Sequence, residues 1–199
     1  MREILPDVWT WSWWSAPHGY AFNGYLVCQG AGNLCIDPVE PEPEVLTELT
    51  RRGVSRILLT NRNHLRAANR VRSRTGARTA IHADDATYAR GQEGEIDDLL
   101  HPSERIGPLV VVGVPGKSPG EVALHWPERR VLFVGDVLIG NPPGQLGLLR
   151  PQVIDDLPQL HGSVRQLLDL EFDVLLTGDG TPILEGAKRE LRALVDRLG

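Results

Sequence analysis

The chain has 199 residues, 41% of them hydrophobic and 24% charged, with a formal net charge of -5. That size supports one ordinary domain over residues 1–199, with a core large enough to need neither disulfides nor a structural metal. The acidic balance offers no field for nucleic acid, no run approaches the roughly 20 apolar residues that span a bilayer, and MREILPDVWTW lacks a basic or apolar leader, so a cytoplasmic protein without nucleic-acid or membrane partners is expected.

In chain order, WTWSWW reads as a strand with Trp9, Trp11 and Trp13 on one face, which suits either sheet packing or a partly exposed wall. GYLVCQ and NLCIDP read as a hairpin around a Gly-rich turn. Cys28 and Cys35 flank that turn; they read as free thiols packed as small hydrophobes, although facing positions across the ladder leave a bridge open. EPEVLTELTRRG predicts a helix burying Val45, Leu46 and Leu49, SRILLT a buried strand, Leu65 to Thr75 a helix and ARTAIH a further strand. The second half repeats the scheme. LVVVGVP, EVALHW and RVLFVGD read as strands, DDLPQLHGSVRQLLDL as a helix, FDVLLTG as a strand and ILEGAKRELRALVDRLG as a terminal helix. Two sheets packed face to face with helices outside would satisfy this order.

Polar or Gly-rich loops follow the strands: NRNHLR after LLT, PGKSPG after VVVGV, GD after LFV and GDGTP after LLT. Such loops at the carboxyl ends of strands point to one shared cleft. Together with NGYLV and CIDP, they make the chain similar to the metallo-β-lactamase fold superfamily, in a form like glyoxalase II and related hydrolases. The resemblance runs from about Asn23 to the last helix and implies an α/β fold, a four-layer αββα sandwich of metallo-β-lactamase type.

In that family the strand–loop–helix segment reads T-H-x-H-x-D-H, and here it is Thr60, Asn61, Arg62, Asn63, His64, Leu65, Arg66. The family's P-G-H-T-x-G becomes Pro115-Gly116-Lys117-Ser118-Pro119-Gly120, G-D survives as Gly135-Asp136, and the late G-H-G becomes Gly178-Asp179-Gly180. The resemblance therefore places Asn61, Asn63, Leu65, Arg66, Lys117, Asp136 and Asp179 at former metal-ligand positions, and Asp136 alone keeps its residue type. His82 falls where the family often has a structural H-x-x-D or H-x-x-E.

Zinc in such sites needs imidazole nitrogens and carboxylate oxygens at about 2.0 to 2.2 Å, three or four per ion. Asn is a poor neutral ligand, Leu has no donor, and Arg and Lys bring positive charge to a place that must hold cations. The expectation is no metal and no other cofactor, with a weak divalent-ion site involving Asp136 and Asp179 left open. His64 stands one residue beyond Asn63, where a helix start would rotate it by about 100°. It reads as a helix-start or cleft-lining residue, and His82 as a strand-end residue with local hydrogen bonds. Arg66 and Lys117 against Asp136 and Asp179 suggest an ion-pair network in a vacated cavity, or solvated loops around an open cleft.

Two classes of function follow. The first is a non-hydrolytic protein binding a small molecule, anionic or not, or a partner in the old cleft, with Arg66 and Lys117 as candidate anion anchors. The second is a hydrolase with a reduced metal site, or with metal-free acid–base chemistry using Asp136, Lys117 and His64 as catalytic groups. A lysine held between carboxylates stays protonated and is a poor base, which favours the first class.

Overall fold

Every strand foreseen above forms, and the strands fall into two separate sheets. The structure, a computed structural model, describes residues 1–198 and divides into two units, Met1–Leu100 and a second from His101 onward. Each unit has its own sheet, helices and core.

In the first unit β1 (Arg2–Leu5), β2 (Val8–Ser15), β3 (Tyr20–Val27), β4 (Asn33–Ile36), β5 (Val54–Leu58), β6 (Arg78–His82) and β7 (Asp98–Leu100) lie side by side in that order. β1 to β4 pair antiparallel, and β4 to β7 pair parallel. Parallel neighbours need long crossovers, supplied here by α1 (Pro43–Arg52), α2 (Ala68–Thr75) and α3 (Ala83–Gly91). Proline at the first turn of α1 and Gly53 at φ 76° beyond its end bound the helix, which buries Val45, Leu46 and Leu49 as its periodicity requires. The core joins these to Leu26, Ile57, Val71 and Ile81.

Of the tryptophans, Trp11 turns into this core and donates its indole N–H to the Val39 carbonyl at 2.9 Å. Its ring lies on Gly24, where a Cβ would come within 2.7 Å of it, so the β2–β3 pair admits no side chain at that point. Trp13 and Trp14 stay exposed, at 45% and 62%.

The second sheet runs β12 (Val174–Leu176), β11 (Val131–Phe133), β10 (Val122–Trp126), β9 (Leu109–Gly113), β8 (Arg105–Ile106), antiparallel except for the parallel β11/β12 pair. α4 (Leu157–Gln166) and α5 (Ala187–Leu198) complete the unit, whose core includes Leu132, Leu160, Phe172, Leu175 and Leu191. Among the described residues no helix is long and apolar enough to cross a membrane.

Differences from the sequence reading have local causes. α3 was not foreseen because its inward face is Asp85, Ala86 and Ala89, which give almost no hydrophobic period. α5 begins at Ala187 rather than Ile183, because Ile183 pairs with Leu175 as an isolated bridge. The β3–β4 register sets Leu26 opposite Cys35, so Cys28 does not face Cys35, and both thiols are free.

Burial, aided by the nearby Asp37 carboxylate, pushes the Cys35 thiol far above its ordinary range. Cys35 should therefore resist a thiol-specific reagent in the native protein at neutral pH and react once guanidinium unfolds it. Half-buried Cys28 should account for all native labelling; rapid native modification of Cys35, read by peptide mass spectrometry, would contradict this placement.

Candidate functional site

The segment resembling a metal-binding motif leaves β5 at Leu58 and is organised by its own side chains. Asn61 is buried and caps a 3-10 turn, Arg62–Leu65, its Oδ1 accepting the Asn63 N–H at 2.8 Å. The turn ends at Arg66 with φ 28° and ψ -109°, a conformation that costs a non-glycine residue on the order of 1–3 kcal/mol. This break explains why the helix expected from Leu65 starts at Ala68.

The turn also decides where His64 points. Read from the sequence as a helix-start or cleft-lining residue, it lies within the 3-10 turn and is fully buried against Asp37, at the end of β4. Asp37 Oδ1 accepts the Thr60 N–H at 2.8 Å, and Oδ2 accepts the Thr60 hydroxyl at 2.6 Å. His64 Nδ1 lies 2.9 Å from the same Oδ2 and 3.0 Å from Thr60 Oγ1. The single hydroxyl proton is directed at Asp37, so Nδ1 faces two acceptor oxygens and donates its ring proton to them.

Other residues of the segment take different roles. Leu65 packs against the apolar core, and Asn63 is exposed. The Arg62 N–H donates to buried Asp85 Oδ2 at 2.8 Å. His82 accepts the Asp84 N–H at 3.3 Å through Nδ1, the local bond foreseen for it. Arg66 carries its guanidinium carbon 4.4 Å from the Phe22 ring centroid. Phe22 in turn packs with His18 at 5.2 Å, Trp13 at 5.8 Å and Tyr20 at 6.0 Å, an aromatic cluster on the β2–β3 hairpin topped by one cation.

In the second unit three loops leave β9, β11 and β12. The first bears Lys117 and is strapped to the start of α4: Gly116 O accepts the Asp156 N–H at 2.7 Å, and Lys117 O accepts the Asp155 N–H at 3.3 Å. Gly116 sits at φ 135°, and a Cβ on it would come 2.3 Å from the Leu160 backbone nitrogen. Lys117 Nζ lies 2.9 Å from Asp136 Oδ2, with side chains only 5% and 7% exposed. The Asp136 N–H donates to buried Glu121 Oε1 at 2.8 Å. On the third loop, Asp179 brings a carboxylate oxygen within 4.8 Å of one on Asp136, and its carbonyl accepts the Gly140 N–H at 2.9 Å.

Lys117, Asp136 and Asp179 are thus brought together as the sequence suggested. Glu121 was missed: it precedes β10 outside any motif, and only its burial, with an exposure of 1%, reveals it. Its presence means that Lys117 shares its unit with three buried carboxylates, so the four-charge balance read from the sequence does not describe this cluster.

The family model of the metallo-beta-lactamase superfamily matches residues 2–198, and the chain belongs to that superfamily. A hydroxyacylglutathione hydrolase of Cereibacter sphaeroides is 33% identical over 123 residues, which are 59% of this chain and 48% of the relative. The chain spans about half the length of the curated relatives it matches. Among solved structures, a metallo-beta-lactamase from Pontibacter korlensis superposes with a TM-score of 0.82 at 19% identity, covering 99% of this chain and 97% of the other. The protein TTHA1623, solved in a di-iron-bound form, gives a TM-score of 0.69 at 26% identity, covering 91% of this chain and 98% of the other. The α/β fold, two sheets with helices, is that of the superfamily.

Asp37 is the anchor of the first loop. Asp37→Ala should destabilise the protein by about 3 to 5 kcal/mol in denaturant unfolding, because a buried imidazole N–H and two Thr60 donors lose their acceptor together. Stability within about 1 kcal/mol of the natural chain would show that these groups find other acceptors.

Proposed function

We propose that this chain is a superfamily member that works without a metal and binds a small anionic ligand in its former active-site region rather than hydrolysing it. The carrying observation is that the segment at which the resemblance places metal ligands is held by protein groups. Asn61 Oδ1 is bonded to the Asn63 N–H, and the Arg66 guanidinium lies over Phe22. Leu65 supplies core packing and no donor atom. These residues do not fit a zinc centre: a site for cations is not assembled from amides, an alkyl chain and a guanidinium.

Arg66 is the anchor for the anion. A guanidinium offers a planar fork of donors to a carboxylate or phosphate, and the aromatic cluster beneath it supplies apolar contact for the rest of a small molecule. Trp13, exposed beside Phe22, extends that surface.

The His64–Asp37 pair favours a second reading, a hydrolase of the kind its relatives' names describe. A carboxylate that accepts the Nδ1 proton orients an imidazole as it is oriented in general bases and in metal ligands. Under that reading Asp136 and Lys117 are the remaining catalytic candidates.

Metal analysis of protein purified without chelator separates the two. The first reading expects well below one zinc or iron per chain and an unfolding midpoint unmoved by added zinc, since a ligand bound tightly to the native state raises the midpoint by mass action. It also expects no turnover of a hydroxyacylglutathione. Near-stoichiometric metal that is lost in Asp136→Leu, or turnover that is lost in His64→Gln, would replace it with the second.

A further inference from the structure

We infer that Lys117 is a tethered counter-cation for Asp136: its ammonium takes the charge position that the superfamily gives to a metal ion and keeps divalent cations from that carboxylate. The inference rests on the reading of Asp136 as the retained ligand carboxylate, and goes beyond it by naming the group that answers this charge.

Three carboxylates, Glu121, Asp136 and Asp179, are buried in the second unit, and a buried carboxylate persists as an ion only with cations or hydrogen bonds to it. Glu121 Oε1 receives the Asp136 N–H, which fixes the backbone of Asp136. Its Oδ2 faces Lys117 Nζ at 2.9 Å, the distance of a charge-assisted hydrogen bond.

Lys117 is aimed there by its backbone. Gly116, at φ 135° and in contact with Leu160, lets the loop approach α4, and the Asp155 and Asp156 N–H groups hold the carbonyls of Lys117 and Gly116. The residue type fits the role as well. Of the 21 Lys and Arg residues only Lys117 and Lys188 are lysines, and this buried position takes the compact point charge rather than the wide guanidinium fork found almost everywhere else.

The test uses the full chain in two arms. In the first, the native protein is reductively methylated and mapped by mass spectrometry. Half-buried Lys188, paired with exposed Glu171, and the terminal amine should be modified, and Lys117 should be protected until the protein is unfolded. In the second, thermal unfolding of Lys117→Ala is followed with manganese or zinc chloride. The variant should melt lower than the natural chain and regain stability with added metal, a response absent from the natural chain and abolished by adding Asp136→Leu.

Native labelling of Lys117 as fast as Lys188 would overturn the inference, as would a folded Lys117→Ala protein that gains no stability from added metal. Should Lys117→Ala not fold, the double change Lys117→Met with Asp136→Leu decides. Its folding supports the pairing, and its failure where Asp136→Leu alone folds overturns it. Metal in the natural chain would instead fail the reading on which the inference rests, so the two failures are distinct.

Discussion

A carboxylate removed from water must be answered by a cation or by donors, and the candidate site of this protein is organised around that requirement. Asp136 is answered by Lys117 at 2.9 Å and Asp37 by Thr60 and His64, all of them almost wholly buried. In each case the answering group is part of the chain. The strain at Arg66 and Asp37, both at positive φ, is local to these contacts.

The two units solve the problem differently. In the first, a short turn rotates His64 inward and brings Asp37, Thr60 and the imidazole into a single hydrogen-bonded array, while the Arg66 guanidinium stacks on Phe22. In the second, glycines allow loops to cross closely enough to carry Asp136, Asp179 and Lys117 together; a Cβ on Gly140 would stand 1.9 Å from the Thr181 carbonyl oxygen. The first arrangement sets a guanidinium over an aromatic surface, and the second sets an ammonium against a buried carboxylate.

Much of the fold was legible because its strands are short apolar runs bounded by turn residues, as in SRILLT and RVLFVGD, and because α1 has a strong apolar stripe. α3 was not, since alanines carry little period, and neither were β1, β7 and β8, whose short runs REIL, DLL and RI mix charged with apolar residues. In the candidate site, the meeting of Lys117 with Asp136 was readable from the resemblance, which assigns both to neighbouring loops. The place of His64 at a helix start was legible, but its burial against Asp37 was not, because nothing in NRNHLR distinguishes a 3-10 turn from an α-helix. Glu121 was invisible because its role depends on a backbone N–H fifteen residues away.

The most direct measurement is the coupling between Lys117 and Asp136, obtained from denaturant unfolding of the natural chain, Lys117→Met, Asp136→Leu and the double variant. A pair buried to this degree should give a favourable coupling of about 2 to 3 kcal/mol, with the double variant recovering much of what either single change loses. A coupling within error of zero would mean that the ammonium does not answer the carboxylate, and that some other group holds Asp136 in the fold.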